Sequence, residues 1–282
     1  MKLKPPETGH KHMVTNNPEN TFLKLSIQVS LNGLSFCTLN TKTNTVVYYH
    51  KKVFEKGLDP VNLLQKIEEE FNTQPQLKSP VNEVKLCFCN TLFTLVPKKW
   101  FKEEAAASYL KFNTKILKTD FVAVDEIDTK EMVNIYIPYT NIINYFFEKY
   151  GEFEYSHHLS ILLNKFLSFE DAKGIKVYAH NSKNRLDLFI IEDGKLLLCN
   201  SFTFFSKEDY LYYLLFAAEQ LELDPKRFRL YLGGEIHKES EIYKLLQQYV
   251  QHISFLSSET EHEIEEGWNI NRSEEYILLN TL

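Results

Sequence analysis

Apolar and polar positions alternate along several stretches of this chain, and the alternation breaks at residues that favour turns. Leu23, Leu25, Ile27 and Val29 share one face of an extended segment, Phe22 to Val29. Asn32-Gly33 follows as a two-residue hairpin signal. Leu34 to Leu39 and Val46 to Val53 complete a three-stranded meander. Asp59-Pro60 then opens a helix, with Asp at the cap and Pro at the first position. Val61, Leu64, Ile67 and Phe71 fall on one face of it at helical spacing. Val84 to Phe88 reads as a buried strand and Phe93 to Val96 as a further short one. Pro97 begins an expected helix with Phe101, Ala105, Tyr109 and Phe112 inward.

The same order of elements returns about 150 residues later in the sequence. The apolar run Ile175 to Ala179 ends at a polar turn, His180 to Asn184. Leu186, Leu188 and Ile190 alternate up to Asp193-Gly194, a second two-residue hairpin in which both turn positions need positive φ. Leu196 to Phe205 is the third strand. Ser206 opens a helix, with Asp209 three residues on as a variant of the capping box. Tyr210, Leu214, Ala217 and Leu221 line its inner face. A strand (Phe228 to Leu232) and a helix carrying Ile242, Leu245, Leu246 and Tyr249 follow. The order is β-β-β-α-β-α twice. It predicts an α/β fold of mixed sheets with helical cover.

Between the repeats, Phe121 to Val124 and Asn134 to Ile137 read as strands and Tyr139 to Tyr150 as a helix ended by Gly151. Glu152 to Tyr155 is a short strand and His158 to Leu167 a helix. The expected division is a mobile arm over 1–20, a first lobe over 21–138, a connection over 139–174 and a second lobe over 175–282. Tyr276 to Leu279 are too apolar for a free tail and are expected to dock.

Composition narrows the function classes. The chain has 282 residues, 44% hydrophobic and 25% charged, with a formal charge of −6. That charge, with Lys and Glu interspersed, argues against nucleic acid as the main partner. There is no apolar run of about 18 residues and no apolar segment after the first charges, so neither membrane insertion nor a secretory signal is expected. Cys37, Cys87, Cys89 and Cys199 sit inside apolar runs, which suits free thiols in a reducing cytoplasm. Cys87 and Cys89 lack the second pair a zinc site needs. His10 and His12 have no further ligand nearby. His157-His158 marks a helix start and is expected to be partly exposed. Only 9 glycines occur, and phosphate-cradling loops spend glycine.

Two lobes of this element order resemble the actin-like ATPase superfamily, built on duplicated ribonuclease H-like domains. More narrowly, the chain resembles an uncharacterised bacterial family of unknown function with that fold. The residues that carry this are Leu25-Ser26-Ile27, Asn32-Gly33-Leu34-Ser35-Phe36, Tyr231-Leu232-Gly233-Gly234 and the aromatic-leucine C-terminus. The resemblance implies a nucleotide chemistry resting on two acidic hairpins, whose Asp residues arrange Mg²⁺ and water. Ser30 stands at the first of these positions and His180 at the second. Only Asp187 matches a further acidic position. Gly233 and Gly234 match the adenosine-side turn, and with Asn32, Gly33 and Asp187 they are the candidates for a vestigial nucleotide cleft. No metal ligand and no catalytic residue is assigned.

These readings point to a cytoplasmic scaffold or protein-interaction module that has lost ATP hydrolysis, with an unidentified protein partner and no cofactor. The alternative is a nucleotide-binding pseudoenzyme that keeps the adenosine side and binds ATP. An active ATPase or phosphotransferase would need carboxylates from elsewhere, such as Asp187 or Asp125.

Overall fold

The computed structural model describes residues 22–117, 119–127, 132–169, 173–256 and 262–282. The N-terminal stretch 1–20, with His10 and His12, lies outside them, as does part of the acidic stretch 259–266. The described residues divide into two compact units, 22–162 with 262–270 and 277–282, and 163–256 with 271–276.

In the first unit, β1 (Leu23–Ser30), β2 (Gly33–Asn40) and β3 (Thr45–Val53) form the expected antiparallel meander. Helix α1 (Pro60–Thr73) starts where Asp59 accepts hydrogen bonds from the amides of Val61 and Asn62, both at 2.9 Å. Its buried face is Leu63, Ile67, Glu70 and Phe71, while Val61 is exposed. The helix is turned from the expected face so that the Glu70 carboxylate meets His50 Nε2 of β3 at 2.8 Å. Then β4 (Glu83–Cys89) runs parallel to β1.

Next come β5 (Phe93–Pro97), α2 (Ala106–Leu110), β6 (Ala123–Ile127) and β7 (Met132–Tyr136), with the three strands in a small sheet of order β5-β7-β6. The long helix expected from Pro97 is absent. Pro97 pairs with Met132 and closes β5, two short 3₁₀ turns follow, and α2 has five residues. Strand pairing overrides helix-compatible spacing here, and Phe112 is left exposed. Helix α3 (Thr140–Tyr150) buries Ile142, Ile143 and Phe146 but exposes Phe147. Gly151, at φ 75°, ends it. Strand β8 (Glu154–His157) pairs in parallel with β4, and α4 (His158–Leu167) follows directly.

The second unit repeats the scheme with β9 (Ile175–Ser182), β10 (Arg185–Glu192) and β11 (Lys195–Thr203), then α5 (Lys207–Gln220), β12 (Arg229–Gly234), α6 (Glu241–Leu246) and β13 (His252–Phe255). Its sheet order is β11-β10-β9-β12-β13. Val177, Ala179, Leu186, Leu188, Ile190, Leu230 and Leu232 face Tyr210, Leu214 and Ala217 of α5 in one apolar core. Ser206 and Asp209 form the full reciprocal capping box. The chain then supplies β14 (Glu263–Ile264) and α7 (Tyr276–Thr281), in which Tyr276 to Leu279 are buried as expected. Strand β14 joins the first sheet beside β3, giving the order β14-β3-β2-β1-β4-β8.

Two turns differ from expectation and one agrees. Asp193 and Gly194 have φ of 46° and 73°, the paired left-handed conformation the sequence calls for. Asn32-Gly33 is not such a turn. The loop residues are Leu31 and Asn32, none of the three has positive φ, and Gly33 already pairs with Ser30. In the second unit the turn is Lys183-Asn184. His180 and Asn181 lie inside β9, paired with Asp187 and Leu186. Burial of Asn181 is supported by the Tyr210 hydroxyl, which donates to its Oδ1 at 2.9 Å.

Candidate functional site

In the second unit, strand register sets one transverse row on the sheet face opposite α5: Ser201 of β11, Asp187 of β10, His180 of β9 and Gly233 of β12. Asp187 is fully buried. Arg185 Nε lies 3.0 Å from Oδ1 and 3.1 Å from Oδ2, and the Ser201 hydroxyl donates to Oδ1 at 2.5 Å. A carboxylate taken out of water survives as an anion only with such partners. His180 is buried as well. Its Nδ1 is 3.8 Å from Asp187 Oδ2, beyond hydrogen-bond reach, and neither ring nitrogen has a hydrogen-bond partner among the described residues.

Gly233 and Gly234 end β12 beside His180 and Asn181. Gly234 has φ of 76°, and a Cβ there would collide with the Asn181 carbonyl, which accepts from the Glu235 amide at 2.9 Å. The Gly234 amide donates to the Ser273 carbonyl at 2.9 Å. A Cβ on Gly233 would run into the Leu256 side chain. Close packing within the unit therefore accounts for glycine at both positions. Glu235 also accepts from the Lys183 amide at 2.7 Å, bracing the tip of the β9-β10 hairpin.

The first-unit hairpin is closed on itself. Ser30 Oγ accepts from the Asn32 amide at 3.2 Å, the Leu31 carbonyl from Leu58 N at 2.8 Å and the Asn32 carbonyl from Phe54 N at 2.9 Å. A Cβ on Gly33 would stand 2.7 Å from the Lys52 carbonyl oxygen. Gly33 is thus a place where the backbone of β3 passes closely. Of the sequence candidates, Asp187 and Gly233 stand on either side of His180 in the second unit, with Gly234 next to Gly233, whereas Asn32 and Gly33 belong to the first. Among the described residues, no group of three or more His, Cys, Asp or Glu could hold a metal ion.

A buried polar cluster in the first unit was not legible as such. Asp125 of β6 accepts from the His157 amide at 2.8 Å, capping the entry to α4 from another strand. Burial pushes its carboxyl up to about 6, against the opposing pull of the His157 amide and the Ser160 hydroxyl. Asn134 Nδ2 donates to Ser160 Oγ at 2.9 Å and stands 3.2 Å from His157 Nδ1, while His157 Nε2 stands 3.1 Å from the Asn90 carbonyl. That geometry suits a neutral ring protonated on Nε2. His157 and His158 are fully buried, against the expected partial exposure. Leu159, Leu162 and Leu163 just after the pair were the available signal, since a His pair leading into an apolar helix face belongs to a core as readily as to a cap. The Cys87 and Cys89 sulfurs lie 3.9 Å apart, both buried and neither in a disulfide.

Solved structures share this architecture. A Bacteroides thetaiotaomicron protein with actin-like ATPase fold and unknown function is 25% identical, with 92% of this chain and 96% of that one covered and a TM-score of 0.73. A chain of the PilM-PilN type IV pilus biogenesis complex is 12% identical over 94% of this chain and 98% of that one, with a TM-score of 0.58, a likeness of fold. The chain accordingly has the two-lobed actin-like ATPase fold, with mixed α/β sheets. No curated protein matches it. The family model described as protein of unknown function (DUF3822) matches residues 13–253, and the chain belongs to that family.

Proposed function

We propose that this family member is a protein-binding scaffold of the actin-like group that does not hydrolyse ATP, working in the bacterial cytoplasm. The observation that carries the reading is Asp187. It is the one acidic residue at a position where the resemblance expects carboxylate, and it is buried and engaged by Arg185 and Ser201. Mg²⁺ binding wants carboxylate oxygens that can face the cation and its waters. Ser30 and His180 supply none, and Ser30 spends its hydroxyl on the amide of Asn32. The PilM-PilN complex offers a precedent, at the level of fold alone, for a chain of this architecture bound to a protein. The charge of −6 also favours a protein over nucleic acid as partner, and no helix among the described residues is long and apolar enough to cross a membrane.

The test is thermal unfolding of the full chain with millimolar ATP and Mg²⁺, with ATP and EDTA, and with neither. A ligand at 100 times its dissociation constant adds about 2.7 kcal/mol, which moves the midpoint by roughly 5 to 10 °C at this size. The expected result is no shift. A magnesium-dependent shift overturns the proposal. A shift that survives EDTA replaces it with a nucleotide-binding pseudoenzyme that keeps only the adenosine-side glycine turn, Gly233 and Gly234.

A further inference from the structure

The third strands of the two meanders, β3 in the first unit and β11 in the second, correspond to each other. Both strands carry a bulge at the same place. Counting from the hairpin turn, the third residue is skipped in the pairing with the neighbouring strand: Val47 between Val46 and Tyr48, and Leu197 between Leu196 and Leu198. Thr45, Val46 and Val47 therefore correspond to Lys195, Leu196 and Leu197.

In the first unit the chain itself covers this edge. Strand β14 lies parallel to β3, with Glu263 opposite Thr45 and Ile264 opposite Val46. The Glu263 amide donates to the Asn44 carbonyl and the Glu265 amide to the Val46 carbonyl, both at 3.0 Å. The carbonyl of the bulged Val47 accepts from Trp268 Nε1 at 3.2 Å, and the Trp268 ring packs edge-on against Tyr48. Ile264 and Trp268 rest on the cluster of Cys37, Leu39 and Val46.

In the second unit no strand among the described residues pairs with the outer edge of β11. By the same register, the carbonyls of Gly194, Leu196 and Leu197 are the outward acceptors there. The edge is nine residues long and has no proline; its one lysine is Lys195, at the start. Native sheets cover or blunt such edges. Beside it lies an aromatic run. Phe202 stacks on Tyr213 at 4.8 Å, Tyr213 meets Tyr212 at 5.6 Å, and Tyr212 stacks on Phe216 at 5.5 Å. Tyr212, Phe216, Leu197 and Phe205 are exposed, Phe205 by 86%. On the outer stripe of α5, Glu208 and Glu219 flank Tyr212 and Phe216.

We propose that the β11 edge receives an extended segment of a partner protein, added parallel to β11 as β14 is added to β3. The sister lobe supplies the reason for this occupant: the equivalent bulged edge is filled there by a short parallel strand with an aromatic donor at the bulge. The partner segment would donate amides to Gly194 and Leu196, place a donor such as an indole at Leu197, and lay apolar side chains on Tyr212, Tyr213 and Phe216. The acidic flanks of the aromatic stripe favour basic residues beside those apolar ones and disfavour a second copy of the same surface. The inference deepens the protein-binding reading and rests on it.

The test pans a phage-displayed library of random peptides of about 12 residues on the full chain and measures the selected peptides in solution. The expected result is enrichment of alternating apolar sequences with basic residues. Their binding falls about tenfold or more on a Leu197→Lys, Phe216→Ser double variant of unchanged thermal midpoint. Bound peptide slows amide exchange along residues 194–198. No enrichment, binding indifferent to the double variant, or protection elsewhere overturns the proposal. So does a wild-type dimer that the double variant dissolves, since a second copy would then take the edge. Magnesium-dependent stabilisation by ATP alongside intact peptide binding would sink the hydrolysis-free reading and leave the edge site standing.

Discussion

Asn181 and Gly234 meet backbone to backbone at the ends of two parallel strands, and the space where a Cβ on Gly234 would sit is taken by the Asn181 carbonyl. Gly234 also has a positive φ of 76°. Gly234→Ala is expected to lower stability by roughly 2 to 4 kcal/mol, combining left-handed strain with a backbone collision. Gly233→Ala meets only the flexible Leu256 side chain, and about 1 kcal/mol is expected. Urea midpoints of the two variants check this ranking. Equal and small losses would mean that Gly234 is there for something other than close approach.

Asp187 holds a buried ion pair together. Asp187→Ala leaves Arg185 without its carboxylate and should cost about 3 to 5 kcal/mol. Replacing both, as Asp187→Leu with Arg185→Met, is expected to recover most of that loss, because it removes the charges along with their attraction. A denaturant series of the wild type, single and double variants measures the coupling. A double variant no better than Asp187→Ala would contradict a mainly structural role.

Asp125 makes stability depend on pH in a defined direction. Its carboxyl is pushed up to about 6 by burial, from an ordinary value near 3.9. The native state thus binds more protons than the unfolded state between about pH 4 and pH 6. Its stabilising contribution is present at low pH and is lost as pH rises through about 6, in total by roughly 2 to 3 kcal/mol. Asp125→Asn keeps an acceptor for the His157 amide and removes the titration. Its stability relative to wild type should therefore improve as pH goes from 4.5 to 7. A constant difference across urea unfolding at pH 4.5, 5.5 and 7 would refute the assignment.

Trp268 pins the strand that covers β3. Trp268→Ala removes the bond to the Val47 carbonyl and the contact with Tyr48. A loss of about 2 to 3 kcal/mol is expected for this half-buried ring, with faster amide exchange at residues 263–265. Phe216→Ser, at an exposed site, should change stability by less than about 0.5 kcal/mol. If exchange at 263–265 were unchanged in Trp268→Ala, the indole would not be what anchors that strand.

Much of the fold could be read along the chain. The alternation of Leu23 to Val29 and of Leu186 to Ile190, the Asp193-Gly194 turn, the Asp59-Pro60 start and the Ser206-Asp209 box all act over a few residues. Their effect is set by local sterics and hydrogen bonds, and each is found in place. Where the sequence misled, a distant partner was decisive. Pro97 became a strand end through Met132, and Val61 turned outward as Glu70 turned toward His50. His180 was drawn into β9 opposite Asp187, and His157 into a core with Asn134 and Asn90.

By itself, then, the sequence determined most of the repeated order of strands and helices, since short-range periodicity carries it. Only the tertiary structure decided that Asp187 is spent on Arg185 and Ser201, that Gly234 yields its Cβ space to Asn181, and that β3 is covered while no strand among the described residues pairs with the outer edge of β11. Each of these depends on which backbones lie side by side, and pairings between residues far apart in sequence leave no local period to read.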